Sequence, residues 1–332
     1  MLDSITSRIS LSEQQAYELM SHILDGQVAP EMIAGLLTAL RTKGETFDEV
    51  TGFVKAMRDH AVKIETDKAV VDTCGTGGDG AHTFNISTTA AFITAGAGVH
   101  VAKHGNRAVS SRSGSADVLE QLGVNIQLTT EQVAHTVNEI GIGFCFAPLY
   151  HQSMKYAAPV RKALGIRTVF NMLGPLLNPF LAKRQVIGVF APEMTEFFAQ
   201  ILQRLGSEHV FVVHGEDGLD EVTTCGDTRV TELREGSITT RVIVPEDFGI
   251  AKAQSSDLKG GDSAENAKIL RDILDDKKSP KRDVAVLNAG LAITCAGKAA
   301  TIEQGVELAD MAISSGAALA KLEALVKFSA EA

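Results

Sequence analysis

From about residue 69 the chain alternates between two kinds of stretch, and this alternation limits the fold more than any other feature. Short β-rich runs ("AVVDT", "VHVAKH", "IGFCFA", "RQVIGVF", "HVFVVHG") are separated by helical segments ("STTAAFITAGAG", "ADVLEQLG", "EQVAHTVNEIG", "EMTEFFAQILQRLG"). Strands that are apolar at successive positions need cover on both faces, which intervening helices provide. The pattern predicts a mainly parallel sheet wrapped in helices. Residues 222–244 alternate as antiparallel strands do, and helices are predicted over 263–276 and 301–328.

The first sixty residues carry no strand signal. Ser12 and Gln15 form a capping box ahead of "AYELMSHIL", and Gly26 ends that helix. Pro30 opens "EMIAGLLTAL", which stops at Gly44. Thr46 and Glu49 cap a third helix, with Phe47, Val50, Phe53, Val54 and Met57 on one apolar stripe. Three short helices predict a small bundle. The expected fold class is therefore α/β, a small all-helical domain plus a larger α/β domain with a mainly parallel sheet. The irregular "NMLGPLLNPF" (171–180) marks a return between the two.

Lys and Arg number 31 against 41 Asp and Glu, a formal charge of −10. Such a chain is a poor sequence-independent binder of nucleic acid. An anionic metabolite would need a local basic pocket or a metal. Cys74, Cys145, Cys225 and Cys295 are scattered without metal-ligand spacing and read as free thiols in a reducing compartment. No signal-peptide core or membrane-length apolar run is present, so a cytoplasmic protein is expected.

Four motifs carry chemistry. In "VVDTCGTGGDGAHTFNIST" (70–88), Gly75, Gly77 and Gly80 satisfy G-x-G-x-x-G. A nicotinamide reading fails, because Asp79 lies inside the loop and Lys103-His104 stands where a ribose-binding acid belongs. A Walker loop fails too, for want of Gly-Lys-Ser/Thr at the required spacing. A bare turn or a phosphate loop remains. Asn85 to Thr88, opening the following helix, favour phosphate, since free N–H groups and hydroxyls there bind its oxygens. "KHGNRAVSSRSGSADVLEQLG" (103–123) is a basic, hydroxyl-rich loop that reads as a second anion site. "GEDGLDEVT" holds Asp220-Glu221, hard oxygen donors for Mg2+ alongside phosphates or else solvated surface. "HQSMKYAAPVRKALGIRT" sets His151, Lys155, Arg161, Lys162 and Arg167 on an expected helix, where an inward Arg would suit a carboxylate.

"DTCGTGGDGAHTFNIST", "KHGNRAVSSRSGSADVLEQLG", "APVRKALGIRTVFNMLGPLLNP" and "GLDEVT", in this order, resemble the anthranilate phosphoribosyltransferases over nearly the whole chain. The resemblance implies a helical domain (1–67 and 155–183) and an α/β phosphoribosyl-binding domain (68–154 and 184–332). It implies transfer of the phosphoribosyl group of phosphoribosyl pyrophosphate (PRPP) to the amine of anthranilate, a homodimer through the helical domains, and a contact with anthranilate synthase. Two Mg2+ ions bound with PRPP are implied as cofactors. Gly75, Gly78, Asp79, Thr83, Asn85, Ile86, Ser87 and Thr88 would hold PRPP. Lys103, His104, Gly105, Asn106, Arg107, Ala108, Val109, Ser110, Ser111 and Ser115 would complete its site. Gly75, Asn106 and Arg161 would contact anthranilate, with His151 nearby. Ser87 and Glu221 would share one ion, Asp220 and Glu221 the other; no residue is assigned as general base. The chain starts at the helical domain, so no fused glutamine amidotransferase is expected ahead of it. A pyrimidine nucleoside phosphorylase-like enzyme and a non-catalytic nucleic-acid-binding homologue are the rivals. The first typically has Lys-His-Ser where this chain has "DTC"; the acidic charge and intact Asp220-Glu221 count against the second.

Overall fold

The computed structural model describes every residue except 79 and 109–111. Four helices open the chain: α1 (Leu2–Thr6), α2 (Glu13–Leu24), α3 (Pro30–Lys43) and α4 (Phe47–Asp59). Both expected capping boxes form, Ser12 accepting from the Gln15 N–H and Thr46 from the Glu49 N–H. α1 is an addition to the expected three helices. It buries only Ile5 and packs on α3, and is too short to show a period in sequence.

The α/β part runs β1 (Val70–Gly75), α5 (Ile86–Gly96), β2 (His100–Gly105), α6 (Ser115–Gln121), α7 (Thr130–His135) and β3 (Ile142–Phe146). Short helices α8 (Ala147–Tyr150), α9 (Ala158–Leu164) and α10 (Phe170–Leu173) cross to β4 (Arg184–Gly188). Then come α11 (Met194–Arg204), β5 (His209–Gly215), β6 (Thr228–Arg234) and β7 (Ser237–Ile243). The chain continues through α12 (Ser263–Leu274), α13 (Pro280–Cys295), α14 (Ile302–Ser314) and α15 (Ala317–Glu331). Three expected helices differ in detail. A π-helical turn over Thr136–Ile140 follows α7. Residues 151–167 are not one helix but a 3-10 turn followed by α9, which Gly165 ends in a left-handed conformation. Left-handed Gly316 likewise divides 301–328 into α14 and α15. Among the described residues, no helix is long and apolar enough to cross a membrane, and the four cysteines are free.

Among the described residues the strands form one seven-stranded sheet, ordered β3-β2-β1-β4-β5-β6-β7. β1 to β5 run parallel, and β6 and β7 return antiparallel, as the alternation in that region predicts. The order reverses at β1, so chains leaving β1 and β4 diverge and open a crevice at their carboxyl ends. Their register sets Gly75 beside Gly188 at that crevice. Alternate residues serve opposite faces. Phe211 and Val213 join a core with α5, α13 and α14, while Val210 and Val212 join Leu36, Phe53, Val160 and Phe170. The helical bundle and the second face of the sheet thus share one apolar cluster.

One charged group lies inside this frame. Asp72 on β1 has no exposure, and its carboxylate accepts from the His104 N–H (3.1 Å) and from Asn178 Nδ2 (2.9 Å). Asn178 also donates to the Ala102 carbonyl at 2.7 Å and accepts from the Phe180 N–H at 2.9 Å. The proline-rich crossing is thereby pinned to the two strands that carry the first two motifs. Burial pushes the Asp72 carboxyl up, while Lys103 and these donors pull it down. Asn178→Ala leaves a buried charged acceptor and a carbonyl short of a partner, so it is expected to destabilise the fold by about 2–3 kcal/mol. Urea denaturation reads this directly; a change under about 0.5 kcal/mol, the size of a surface substitution, shows the network to be dispensable.

Candidate active site

The first glycine motif becomes the loop from β1 to α5, at the crevice. Its shape is set by a chain lying across it. A Cβ on Gly188 would lie 1.6 Å from the Asp220 carbonyl oxygen, and one on Gly75 would lie 2.5 Å from Asp220 Oδ2. Only hydrogen fits at either place, so the 219–222 segment seats directly on the ends of β1 and β4. Asp220 Oδ2 accepts from the Gly77 N–H at 2.6 Å. Asn288 on α13 clamps the segment from behind, accepting from the Val222 N–H (3.0 Å) and donating to its carbonyl (2.8 Å). The acidic pair is therefore built into the glycine loop rather than solvated. Asp220 is buried and Glu221 half-buried.

At the amino end of α5, Ser87 is half-buried, and Thr88 has a buried hydroxyl with no partner among the described residues. Thr76 in the loop and Ser113 in the second motif have orphaned hydroxyls of the same kind. Buried polar atoms are costly without a partner, so these three favour a polar ligand at the crevice. Thr83 pairs with Lys259 in an isolated bridge that steadies the loop. Ile86 is core, able to offer a ligand only backbone. Asn85 is occupied structurally, its amide donating to the Ser113 carbonyl (3.2 Å) and accepting from Asn266 (3.0 Å).

The second motif leaves β2 beside the first. Lys103 is 3% exposed, and its ammonium donates to the Thr73 carbonyl at 2.5 Å and to Ser87 Oγ at 3.4 Å. Burial pushes its pKa down, while Asp72, Cys74 and Glu221 act to raise it, which places Glu221 within electrostatic range. Gly105 ends β2 against the hydroxyl of Ser115, which donates to the Asn106 carbonyl at 3.3 Å. Asp117 holds the loop closed, accepting from the N–H groups of Ala108 (2.9 Å) and Gly114 (2.8 Å). Arg107 turns to carboxylates, with Asp117 at 3.1 Å and both Glu120 oxygens in reach. These carboxylates share its charge within the motif. Asp79, Val109, Ser110 and Ser111 lie outside the described residues.

The segment after β3 closes around these loops. His151 meets His104 edge to face, ring centroids 5.2 Å apart. Arg161 on α9 is half-buried over the Phe170 ring at 5.1 Å and has no carboxylate partner among the described residues. Burial pushes its pKa down. Arg167, unassigned from sequence, bonds the Gly77 and Gly78 carbonyls, both at 3.2 Å. Asp72, Asn178 and Asn288 are likewise missed by motif reading; their partners lie far along the chain, and an isolated Asp or Asn has no local signature.

A fold of this order, with an acid-lined glycine loop and a second basic loop at the crevice, defines a phosphoribosyl-handling transferase. Comparison with known proteins agrees. Residues 1–61 match the helical bundle domain of a glycosyl transferase family, and residues 67–319 match its a/b domain. The anthranilate phosphoribosyltransferase of Desulfosudis oleivorans is 54% identical, over 98% of this chain and 97% of its own. The crystal structure of the Thermus thermophilus enzyme of that name superposes with a TM-score of 0.93 at 43% identity, covering 99% of each chain. The Saccharomyces cerevisiae enzyme in complex with PRPP and Mg gives 0.90 at 28% identity, over 100% of this chain and 98% of its own. The chain belongs to the anthranilate phosphoribosyltransferase family.

The histidine pair generates a pH test. Burial is the main cause that holds His104 down to about 3 and His151 down to about 4, so both rings stay neutral in the folded protein. In the unfolded chain they titrate near 6.5, and between that value and about 4 only the unfolded state takes up their protons. Stability therefore falls as pH falls through this window. His104→Asn is expected to shrink the loss of urea midpoint between about pH 7 and about pH 5. An equal loss in both proteins would assign the acid sensitivity elsewhere.

Proposed function

We infer that the protein transfers the phosphoribosyl group of PRPP to the amine of anthranilate, giving N-(5-phosphoribosyl)anthranilate and pyrophosphate in tryptophan biosynthesis, with Mg2+. The observation that carries this reading is the seating of Asp220 on the glycine loop, where β1 and β4 part, with the Lys103 ammonium beside Ser87. Gly75, Gly78, Asp79, Thr83, Asn85 to Thr88, Lys103 to Ser111 and Ser115 hold PRPP; Gly75, Asn106 and Arg161 contact anthranilate, with His151 nearby. The helical domain comprises 1–67 and 155–183, a division supported by the packing of α9 on α3. Homodimers form through this domain, and a contact with anthranilate synthase belongs to the same reading.

The donor set suits magnesium. Ser87, Asp220 and Glu221 offer hard oxygens, Ser87 and Glu221 to one ion, Asp220 and Glu221 to a second. Among the described residues, no three His, Cys, Asp or Glu side chains converge as a cage of their own, so phosphate oxygens must complete the coordination. When bound, the ions neutralise charge on the departing pyrophosphate. The Lys103 ammonium adds positive charge from a nearly unexposed position. The amine of anthranilate is neutral and needs aim rather than deprotonation. Arg161 on its carboxylate and Asn106 near the amine supply that aim as the bond from C1 to oxygen gives way to one from C1 to nitrogen.

Three outcomes are expected. Mixed with PRPP, Mg2+ and anthranilate, the protein quenches anthranilate fluorescence; an unchanged signal refutes the activity. Arg161→Ala loses a charge-assisted contact worth about 1.5–3 kcal/mol, about 10- to 150-fold in affinity for anthranilate, with PRPP affinity nearly untouched. The reverse pattern in steady-state kinetics would move Arg161 to the phosphate side. In calorimetry, bare Mg2+ binds weakly and PRPP binds much more tightly with it present. Tight binding of the metal alone contradicts the shared coordination.

A further inference from the structure

Arg167 stands where the parts of the site meet. Its guanidinium spans two successive carbonyls, Nη2 to Gly77 and Nη1 to Gly78, each at 3.2 Å, and lies 4.2 Å from the centre of the Phe190 ring. Gly77 and Gly78 both adopt positive φ, +68° and +76°. In a trans peptide the carbonyl and the following N–H point in opposite directions. Drawing the Gly77 carbonyl toward Arg167 therefore turns the Gly78 N–H away from it. Gly77 is held on its amino side as well, its N–H donating to Asp220 at 2.6 Å. One glycine residue thus links the proposed metal-binding carboxylate to the segment that carries Arg161, six positions before Arg167.

We propose that Arg167 is a positioning residue that couples the two substrate sites, its fork across the Gly77 and Gly78 carbonyls tying the PRPP loop to the segment that presents Arg161 to the carboxylate of anthranilate. The proposal rests on the PRPP and anthranilate reading given above. PRPP and Mg2+ bound against Gly77 and Gly78 strengthen this fork, which through Gly165 and the turn after α9 restrains Arg161. That restraint assists anthranilate, and by linkage anthranilate assists PRPP by the same factor. A lysine at this position keeps the charge but cannot span two carbonyls or stack flat on Phe190.

The test uses the full-length protein with benzoate, which has the carboxylate of anthranilate but no amine and cannot be ribosylated. Calorimetry measures PRPP affinity in Mg2+ with and without saturating benzoate, and benzoate affinity with and without PRPP and Mg2+. Wild-type protein is expected to show mutual enhancement of about 5-fold or more, equal from both sides. Arg167→Met is expected to bring that factor close to one while benzoate alone binds as before, and Arg167→Lys to restore little of it. A brace with only a structural role lowers PRPP affinity equally with and without benzoate, and that result, or full coupling in Arg167→Met, overturns the proposal. Should Arg167→Met fail to fold, Arg167→Lys alone decides, since retained coupling there removes the need for the fork. Wild-type protein that binds both ligands without coupling also overturns it. Protein that binds no PRPP at all instead sinks the underlying functional reading.

Discussion

Everything at the crevice hangs on a carboxylate that never sees it. Asp72 is enclosed in the sheet, and its two oxygens fix the backbone of β2 at His104 and the side chain of Asn178 in the crossing. Lys103, one residue before His104, feels the same charge, which works against the downward push of burial on its pKa. A buried charge with good partners costs little, but removing one partner leaves the other stranded. Asp72 thus ties together the strands that carry the first glycine loop and the second motif and the crossing that leads from Arg161 to β4. The surface loops can be rich in glycine because their roots are rigid.

Much of the fold was legible because the helices and strands announce themselves locally. Capping boxes at Ser12 and Thr46, Pro30 at a helix start and the β-branched run 209–215 each satisfy a rule within a few residues. α13 was missed for the opposite reason. It is buried nearly all round, from Val284 to Cys295, so its sequence shows no amphipathic period and lacks a strand's length. The expected helix over 151–167 is broken where Pro159 opens α9 and Gly165 ends it.

The site divides along the same line. Glycines, hydroxyls and the acidic pair were readable as types suited to phosphate and magnesium, since each motif is contiguous. What each charge does was not readable. Arg107 sits amid a basic motif yet pairs with Asp117 and Glu120 on the helix that follows it, while Arg167, looking like one more surface cation, reaches 89 residues back to Gly78. Formal charge in a sequence says how much is available; only tertiary neighbours decide where it is spent.

The apolar cluster shared by the bundle and the sheet has a consequence for synthesis. Leu36 and Phe53 lie in the first sixty residues, but their partners Val160, Phe170 and Val212 are made far later. A ribosome adding about 5–20 residues per second would leave the emerged bundle waiting for several seconds to tens of seconds with its inner face uncovered. The four helices are thus made well before the residues that shelter them. During that interval the nascent chain presents an apolar surface to whatever holdases attend the ribosome exit.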